Sequence, residues 1–289
     1  MARTLNIIGA GHVGRVLGRL FGARGSFAVQ DVLTRSHASA LDAVGFMGAG
    51  RALAGLASMR PADVWMLAVG DDQIGAVCAQ LAGAQALTGA IVFHCSGAKS
   101  SAELAAASAA GALVASVHPI RSFADPALVA QHFDGTFCGT EGDADALAVL
   151  TPALAAIGAQ PVAIDAQAKT VYHAASVFAS NYLVTVLDAA LRAYQAAGVP
   201  EPVARAMAQP LASESMANVF RLGAAAALSG PIARGDMDTV ARQQAALAAW
   251  DGPSGALYAA LVAPTQDLAR RKKDNNARNN AASNGKDQA

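Results

Sequence analysis

Lys169, His173, Ser176, Ser180 and Asn181 lie in a segment whose other members are mostly apolar, and the first four are separated by three- or four-residue steps. Such steps place side chains on one face of an α-helix. A buried polar group left unpaired costs about 1–3 kcal/mol, so a polar stripe on an apolar helix is expected to line a wet cleft or to meet partners across an interface. In a cleft, Lys169 or His173 is the expected proton donor or acceptor at a reacting carbon, with Asn181 orienting the substrate. The stripe has a second reading, a satisfied network that only stitches two domains together.

Two further clusters follow apolar runs of strand length, where ligands of open α/β sheets bind. The first is His94-Cys95-Ser96-Gly97-Ala98-Lys99. Ser96 and the Gly97 backbone are placed to reach a nicotinamide or a substrate carboxylate, unless the segment is an ordinary strand-to-helix turn. The second is His118-Pro119-Ile120-Arg121-Ser122-Phe123. Here His118 is a candidate hydrogen-bonding or catalytic group and Arg121 a candidate carboxylate anchor; alternatively His118 satisfies a buried backbone carbonyl.

The segment 5–14 reads Leu-Asn-Ile-Ile-Gly-Ala-Gly-His-Val-Gly, an apolar strand entering a G-x-G-x-x-G turn that opens a helix. Gly9 permits the tight turn, Gly11 lets the backbone approach a pyrophosphate, and Gly14 lets helix and strand pack closely. His12 and Val13 belong to the same grip, because the first N–H groups of a helix hold an anion without a cationic side chain. Val69 and Gly70, at the end of a later strand, are expected at the same coenzyme. The second strand, Phe27–Leu33, ends in Thr34-Arg35-Ser36 with no carboxylate at its tip. A carboxylate there would bind the ribose hydroxyls of NAD and repel a phosphate, so NADP is the expected cofactor, with Arg35 and the two hydroxyls on its 2′-phosphate. If the strand is shorter, Asp31 becomes the acceptor for NAD.

The elements that must position these residues are legible in the patterning. Short apolar runs at 5–8, 27–33, 62–69, 90–95, 113–117, 136–139 and 160–164 alternate with helical ones, which predicts a parallel sheet covered by helices. Asp71 or Asp72 is expected to cap the helix that carries Cys78 and Leu81. Beyond Asp165 strand signals stop. Residues 167–198 form one long helical pattern, apolar on most sides and so expected to be buried, and further helices are predicted at 201–216, 217–228, 236–249 and 254–269, with Asp236 as a cap. The fold class is α/β: a Rossmann-type sheet domain over 1–165, an all-helical domain over 166–269 that carries substrate contacts and dimerisation, and a disordered tail over 270–289.

Composition narrows the function. With 289 residues and a formal net charge of zero there is no basic excess to bind nucleic acid. Apolar stretches are read as broken before the roughly 20 residues of a membrane span, and the chain opens without a charged-then-apolar leader. Cys78, Cys95 and Cys138 have neither metal spacing nor an even count, so a soluble cytoplasmic protein without a metal is expected.

Taken together, the glycine turn, Thr34-Arg35-Ser36, His118-Pro119 with Phe123, Tyr172-His173-Ala174-Ala175 through Ser180-Asn181-Tyr182, and Gly230-Pro231 with Arg234-Gly235-Asp236 resemble one family. It is the Rossmann-like oxidoreductases with a helical C-terminal domain of unknown function. In plan that family is similar to pyrroline carboxylate reductase, deazaflavin-dependent NADP reductases and β-hydroxyacid dehydrogenases. The resemblance covers nearly residues 1–269 and implies architecture and cofactor more firmly than reaction. It departs at Gly70, where relatives usually show proline, and in the spacing of Lys169 and Asn181, which differs from the short catalytic motif of β-hydroxyacid dehydrogenases. The expected function is an NADP-dependent oxidoreductase, a homodimer, that transfers hydride to or from a small carbonyl, imine or hydroxy compound bearing a carboxylate. The alternatives are a non-catalytic NADP-binding sensor or scaffold and a deazaflavin-dependent reductase.

Overall fold

The computed structural model describes residues 2–284 and divides into a first unit ending at Tyr182 and a second beginning at Leu183. The first unit is built on one eight-stranded sheet of β1 (Arg3–Ile8), β2 (Phe27–Leu33), β3 (Arg51–Leu53), β4 (Val64–Leu67), β5 (Ile91–His94), β6 (Leu113–Pro119), β7 (Phe137–Gly142) and β8 (Gln160–Ala163). Their spatial order is β3-β2-β1-β4-β5-β6-β7-β8. The first six follow the order of a dinucleotide-binding sheet, in which the strand order reverses between β1 and β4 and opens a crevice at the carboxyl ends of the strands. All pairs are parallel except β6 with β7.

Its strands read as continuous apolar runs because both faces are covered. Leu5, Ile7, Val64, Met66, Ile91 and Phe93 point to one face, where α1 (His12–Ala23) and α2 (His37–Met47) pack. Ile8, Trp65, Leu67 and Val92 point to the other, against α3 (Ile74–Ala84) and α4 (Ala105–Ala109). This is the two-residue alternation of a pleated strand. The helices α5 (Pro126–Gln131) and α6 (Ala144–Ala156) complete the layer on the α1 side. Near the carboxyl end of the unit, α7 (Lys169–Val177) runs into a π-helical segment, Phe178–Tyr182.

In the second unit are α8 (Leu183–Ala196), α9 (Glu201–Leu222), α10 (Ala224–Ala227), α11 (Pro231–Arg234), α12 (Met237–Trp250) and α13 (Gly252–Asn284). Asp236 caps α12 as expected, its Oδ1 accepting from the Thr239 N–H at 3.1 Å.

Several expectations are corrected. The edge strand β3 has only three residues, too few for an alternation to show, and patterning misses it. Neither Asp71 nor Asp72 caps α3, because a 3₁₀ turn over Asp71–Gln73 takes both into the first turn. The break expected after residue 216 falls at Gly223, whose φ of 82° ends α9. The division between units lies after Tyr182 rather than after 165, because Lys169 sends its amine among β5, β6 and β7. The expected tail is helical through Asn284: Arg271 pairs with Asp267 at 2.9 Å, and Lys272 Nζ donates to the carbonyls of Ala226 (3.1 Å) and Leu228 (2.8 Å). Residues 285–289 lie outside the described residues.

The expected burial of the 167–198 helix is also corrected. Within one chain Val171 is 76% exposed and no side chain of α8 is buried. The run Ala166–Ala196 is, by length and composition, long and apolar enough to cross a membrane, contrary to the expectation that no stretch reaches that length.

Candidate functional site

The glycine turn has the geometry its sequence predicts. Gly9 sits at φ 85°, and a Cβ there would lie 2.5 Å from the Ala68 carbonyl oxygen. At Gly14 a Cβ would meet the Gly9 oxygen at 2.6 Å, so α1 packs on the turn only without a side chain. Gly11, the N-cap of α1, is exposed, would bring a Cβ near nothing within 4 Å, and no side chain caps the helix. The first N–H groups of α1, from His12, Val13 and Gly14, are therefore available to an anion. His12 has a second connection: its Nδ1 donates to the Phe123 carbonyl at 2.6 Å and ties the 120–125 loop to the glycine turn.

At the tip of β2, Arg35 is exposed and has no acidic partner among the described residues. Thr34 Oγ1 donates to the Ser36 carbonyl at 2.8 Å, and Ser36 Oγ caps α2 by accepting from the Ser39 N–H at 3.2 Å. Asp31 is removed as a ribose acceptor. It has no exposed surface, and its carboxylate accepts from Arg60 Nη2 at 2.7 Å, the Arg60 N–H at 2.8 Å and Arg51 Nε at 3.3 Å. Burial pushes its pKa up, but the Arg60 bonds and charge, helped by Arg51, outweigh burial and hold the carboxyl below its ordinary range. Because β2 runs on to Leu33, Asp31 lies inside the strand, paired with Asn6 of β1.

Gly70, the position at which the sequence departs from the family it resembles, has φ −61° and ψ 149°, an extended conformation that proline also adopts. The departure therefore leaves the path of this turn, next to Val69, unaltered.

The histidines come together around Gly97. A Cβ on Gly97 would lie 2.7 Å from both His118 Cε1 and His118 Nε2 and would overlap the His173 ring. The two rings meet edge to face with centroids 5.6 Å apart, and His118 Nδ1 lies 2.9 Å from the Tyr172 hydroxyl. Burial, followed by the charges of His173 and Lys169, pushes the His118 pKa down to about 4. A cavity of about 290 Å³ opens beside them, lined by His118, Arg121, His173, Ser176, Ser180 and Asn181 among others. Ser180 and Asn181 sit in the π segment, a wider turn that recurs at functional sites and here brings two successive polar residues to one wall. Arg121 reaches the cavity, while its Nη1 is held by the His132 carbonyl and by Thr136 Oγ1 at 3.1 Å.

Lys169 shares the sequence stripe but not the cavity. It is 2% exposed; its Nζ donates to the Ser96 carbonyl at 3.0 Å and to Ser116 Oγ, and lies 3.6 Å from Glu141 Oε1. The three donors of an ammonium thus meet three acceptors. Burial lowers its pKa, and Glu141 opposes that shift. Glu141 is held in turn by the Ser101 N–H at 2.8 Å and Ser101 Oγ at 2.7 Å. Lys169 is therefore a clamp between strands and is corrected out of the proton-transfer role. Ser96 is corrected likewise, because its Oγ accepts from the N–H groups of Ala98 (3.2 Å) and Lys99 (3.0 Å) and is committed to its own turn. His94 braces the same turn: Nδ1 accepts from the Ser96 N–H at 3.1 Å, and Nε2 lies 3.0 Å from the Ser100 carbonyl.

Sequence reasoning misses Tyr172, Ser116 and Glu141. Tyr172 adjoins His173 in the quoted motif, which is a signal without a role. Ser116 and Glu141 are single polar residues inside strands, and no spacing marks them.

The Rossmann-like domain family matches residues 2–119, and the family described as a domain of unknown function, DUF2520, matches residues 136–265. No curated protein matches the chain in sequence. Among solved structures, protein TM1727 from Thermotoga maritima is 26% identical, with a TM-score of 0.71 over 93% of this chain and 100% of that one. BF3122 from Bacteroides fragilis, provisionally named an NADP oxidoreductase, is 19% identical with a TM-score of 0.75 over 92% and 98%. An imine reductase variant from Myxococcus stipitatus in complex with NAD+ is 15% identical with a TM-score of 0.61 over 94% and 95%. At the identities of these last two, the likeness is one of fold.

Proposed function

From a chain that carries a Rossmann-like domain followed by a DUF2520 domain, we propose an NADP-dependent oxidoreductase acting on a small, carboxylated carbonyl, imine or hydroxy compound. The observation that carries this reading is the glycine turn: closed at Gly9 and Gly14 where a Cβ would collide, and open at Gly11 in front of an uncapped helix. A pyrophosphate fits that opening, with the N–H groups of His12, Val13 and Gly14 as its donors. A nicotinamide coenzyme, when bound, supplies or accepts the hydride.

The named relatives point to both coenzymes, NADP for the Bacteroides protein and NAD+ for the Myxococcus enzyme, so the preference rests on residues of this chain. Arg35 is an exposed cation, and the only carboxylate of β2, Asp31, is sealed in its own ion pairs. With Thr34 and Ser36 beside it, Arg35 suits a 2′-phosphate better than a diol. On the substrate side, His118 and Asn181 orient the reacting group, Arg121 meets a carboxylate, and His173 gives or takes the proton.

Calorimetry with the two coenzymes tests this. Arg35→Ala is expected to weaken NADP binding by about 1.5–3 kcal/mol, the range for a charge-assisted hydrogen bond, and to leave NAD binding nearly unchanged. Equal losses for both coenzymes would overturn the assignment.

A non-catalytic sensor or scaffold has one observation in its favour: Lys169 of the polar stripe is a satisfied structural clamp. Oxidation of NADPH by keto acids, imines and semialdehydes separates the two readings. Turnover that falls in His173→Ala belongs to the enzyme; coenzyme binding with no turnover belongs to the sensor.

The working assembly in this reading is a cytoplasmic homodimer formed through the helical domain. Exposed apolar side chains on α9, with Phe220 at 90% and Leu211 at 59%, supply a surface that a second copy would cover. The Ala166–Ala196 run carries Lys169, Asp188 and Arg192, charges that suit a protein partner better than lipid.

A further inference from the structure

We propose that Tyr172 is a positioning residue that holds His118 as the neutral tautomer with its proton on Nε2, and that this N–H is offered to an oxygen atom of the pocket's ligand. The inference deepens the substrate-pocket reading given above and rests on it.

The hydrogen-bond chain sets the tautomer. A Cβ at Gly139 would overlap the Tyr172 hydroxyl oxygen, so only glycine lets the phenol settle there. A phenol has a single hydrogen. Among the described residues His118 Nδ1, at 2.9 Å, is the hydroxyl's one hydrogen-bond partner, so that hydrogen points to it. Nδ1 is then the acceptor, and the remaining ring proton sits on Nε2. Burial and the neighbouring positive groups keep the ring uncharged, with its pKa at about 4.

Among the described residues Nε2 has no hydrogen-bond partner. In front of it residue 97 has no side chain, and a Cβ there would stand 2.7 Å away. Gly97 thus lets the ring pack closely without a side chain in its way, and because His118 lines the cavity its neutral N–H is the group offered to a ligand there.

A neutral N–H stabilises negative charge that develops on an oxygen and offers nothing to a cation. The cavity wall also carries Arg121 and His173, and no carboxylate occurs among its described lining residues. The ligand class that fits is a carbonyl or hydroxyl compound bearing a carboxylate, and a protonated imine does not fit.

The test is nitrogen NMR of the whole protein labelled at its histidines, with His118 identified by its loss in His118→Gln. The expected spectrum has a pyrrole-type signal at Nε2 and a pyridine-type signal at Nδ1. In Tyr172→Phe a mixture of tautomers is expected. A proton on Nδ1 in the unaltered protein, or an unchanged tautomer in Tyr172→Phe, would overturn the positioning role. Oxamate, a carboxylate with an amide oxygen, is the probe of ligand class and pyrrolidine, a cation at neutral pH, its counterpart. Oxamate should shift the Nε2 signal, with affinity about tenfold lower in Tyr172→Phe, and pyrrolidine should leave it in place. A response to pyrrolidine, or none to oxamate, sinks the ligand class. None of these readouts needs coenzyme or turnover, so a chain that bound no dinucleotide would lose the oxidoreductase reading while the tautomer stood or fell by itself.

Discussion

In the sheet unit Leu5, Ile7, Trp65 and Phe93 have no exposed surface, whereas in the helical unit Phe220 is 90% exposed, Val184 66% and Leu211 59%. Both units are rich in apolar side chains, and the difference lies in what covers them. A sheet presents two flat faces, and the helices that connect its strands return over both, so the first unit closes its own core. A helix such as α9 carries apolar residues around much of its circumference, and its neighbours within the unit cover only part of it. Each large apolar side chain left in water forgoes about 1.5–3 kcal/mol of burial, which is the driving force available to a partner. The sheet unit thus closes its core within one copy, whereas the helical unit leaves large apolar side chains exposed within one chain.

The largest effect that would sharpen this contrast is expected at Lys169. Lys169→Met leaves Glu141 buried without its cation and should lower the unfolding free energy of the sheet unit by about 3–5 kcal/mol, read from the denaturant midpoint. The Glu141→Gln change added to it should restore part of the loss. Full stability with abolished turnover would return Lys169 to the catalytic set.

Next in size is the helical surface. Phe220→Ser should weaken self-association by about 2 kcal/mol, roughly thirtyfold in the dissociation constant, measured by sedimentation equilibrium. A wild-type chain that is monomeric at high concentration would break the comparison.

The smallest effect is a pH dependence confined to the sheet unit, which holds all six histidines of the chain. His118 is lowered from 6.5 to about 4 and His94 is lowered as well, both chiefly by burial. Below pH 6.5 the unfolded chain takes up protons that the folded unit refuses, so stability is fully present above that pH and falls as pH drops toward 4. For one such group the loss approaches tenfold in the folding constant per pH unit. Asp236 and Asp251 in the helical unit have lowered pKa values, chiefly from bonds with Thr239 and Ser254, and their contribution persists until pH falls below 3.8. Exchange-resolved acid titration should therefore show the sheet unit loosening first.

Much of the site was readable before the fold was known, but unevenly. The glycine turn, the missing carboxylate after β2, the cap at Asp236 and the pocket face of His173, Ser176 and Ser180 all depend on neighbours within a few residues. Lys169 shows the limit. Helical spacing places it with His173, yet its ammonium reaches acceptors 53 and 73 residues away in sequence, at Ser116 and Ser96. Asp31 shows the same limit on the cofactor side, since only its pairing with Arg60, 29 residues on, removes it from the ribose.

From its residues alone this chain specified a twofold plan, a tight glycine turn opening a helix and the faces of its helices, because those features arise from backbone conformation and periodicity over short stretches. Tertiary structure decided which polar groups are free to act. Whether a lysine, a serine or an aspartate meets a ligand or a buried partner depends on strands brought side by side from distant parts of the chain, and local spacing holds no record of that meeting.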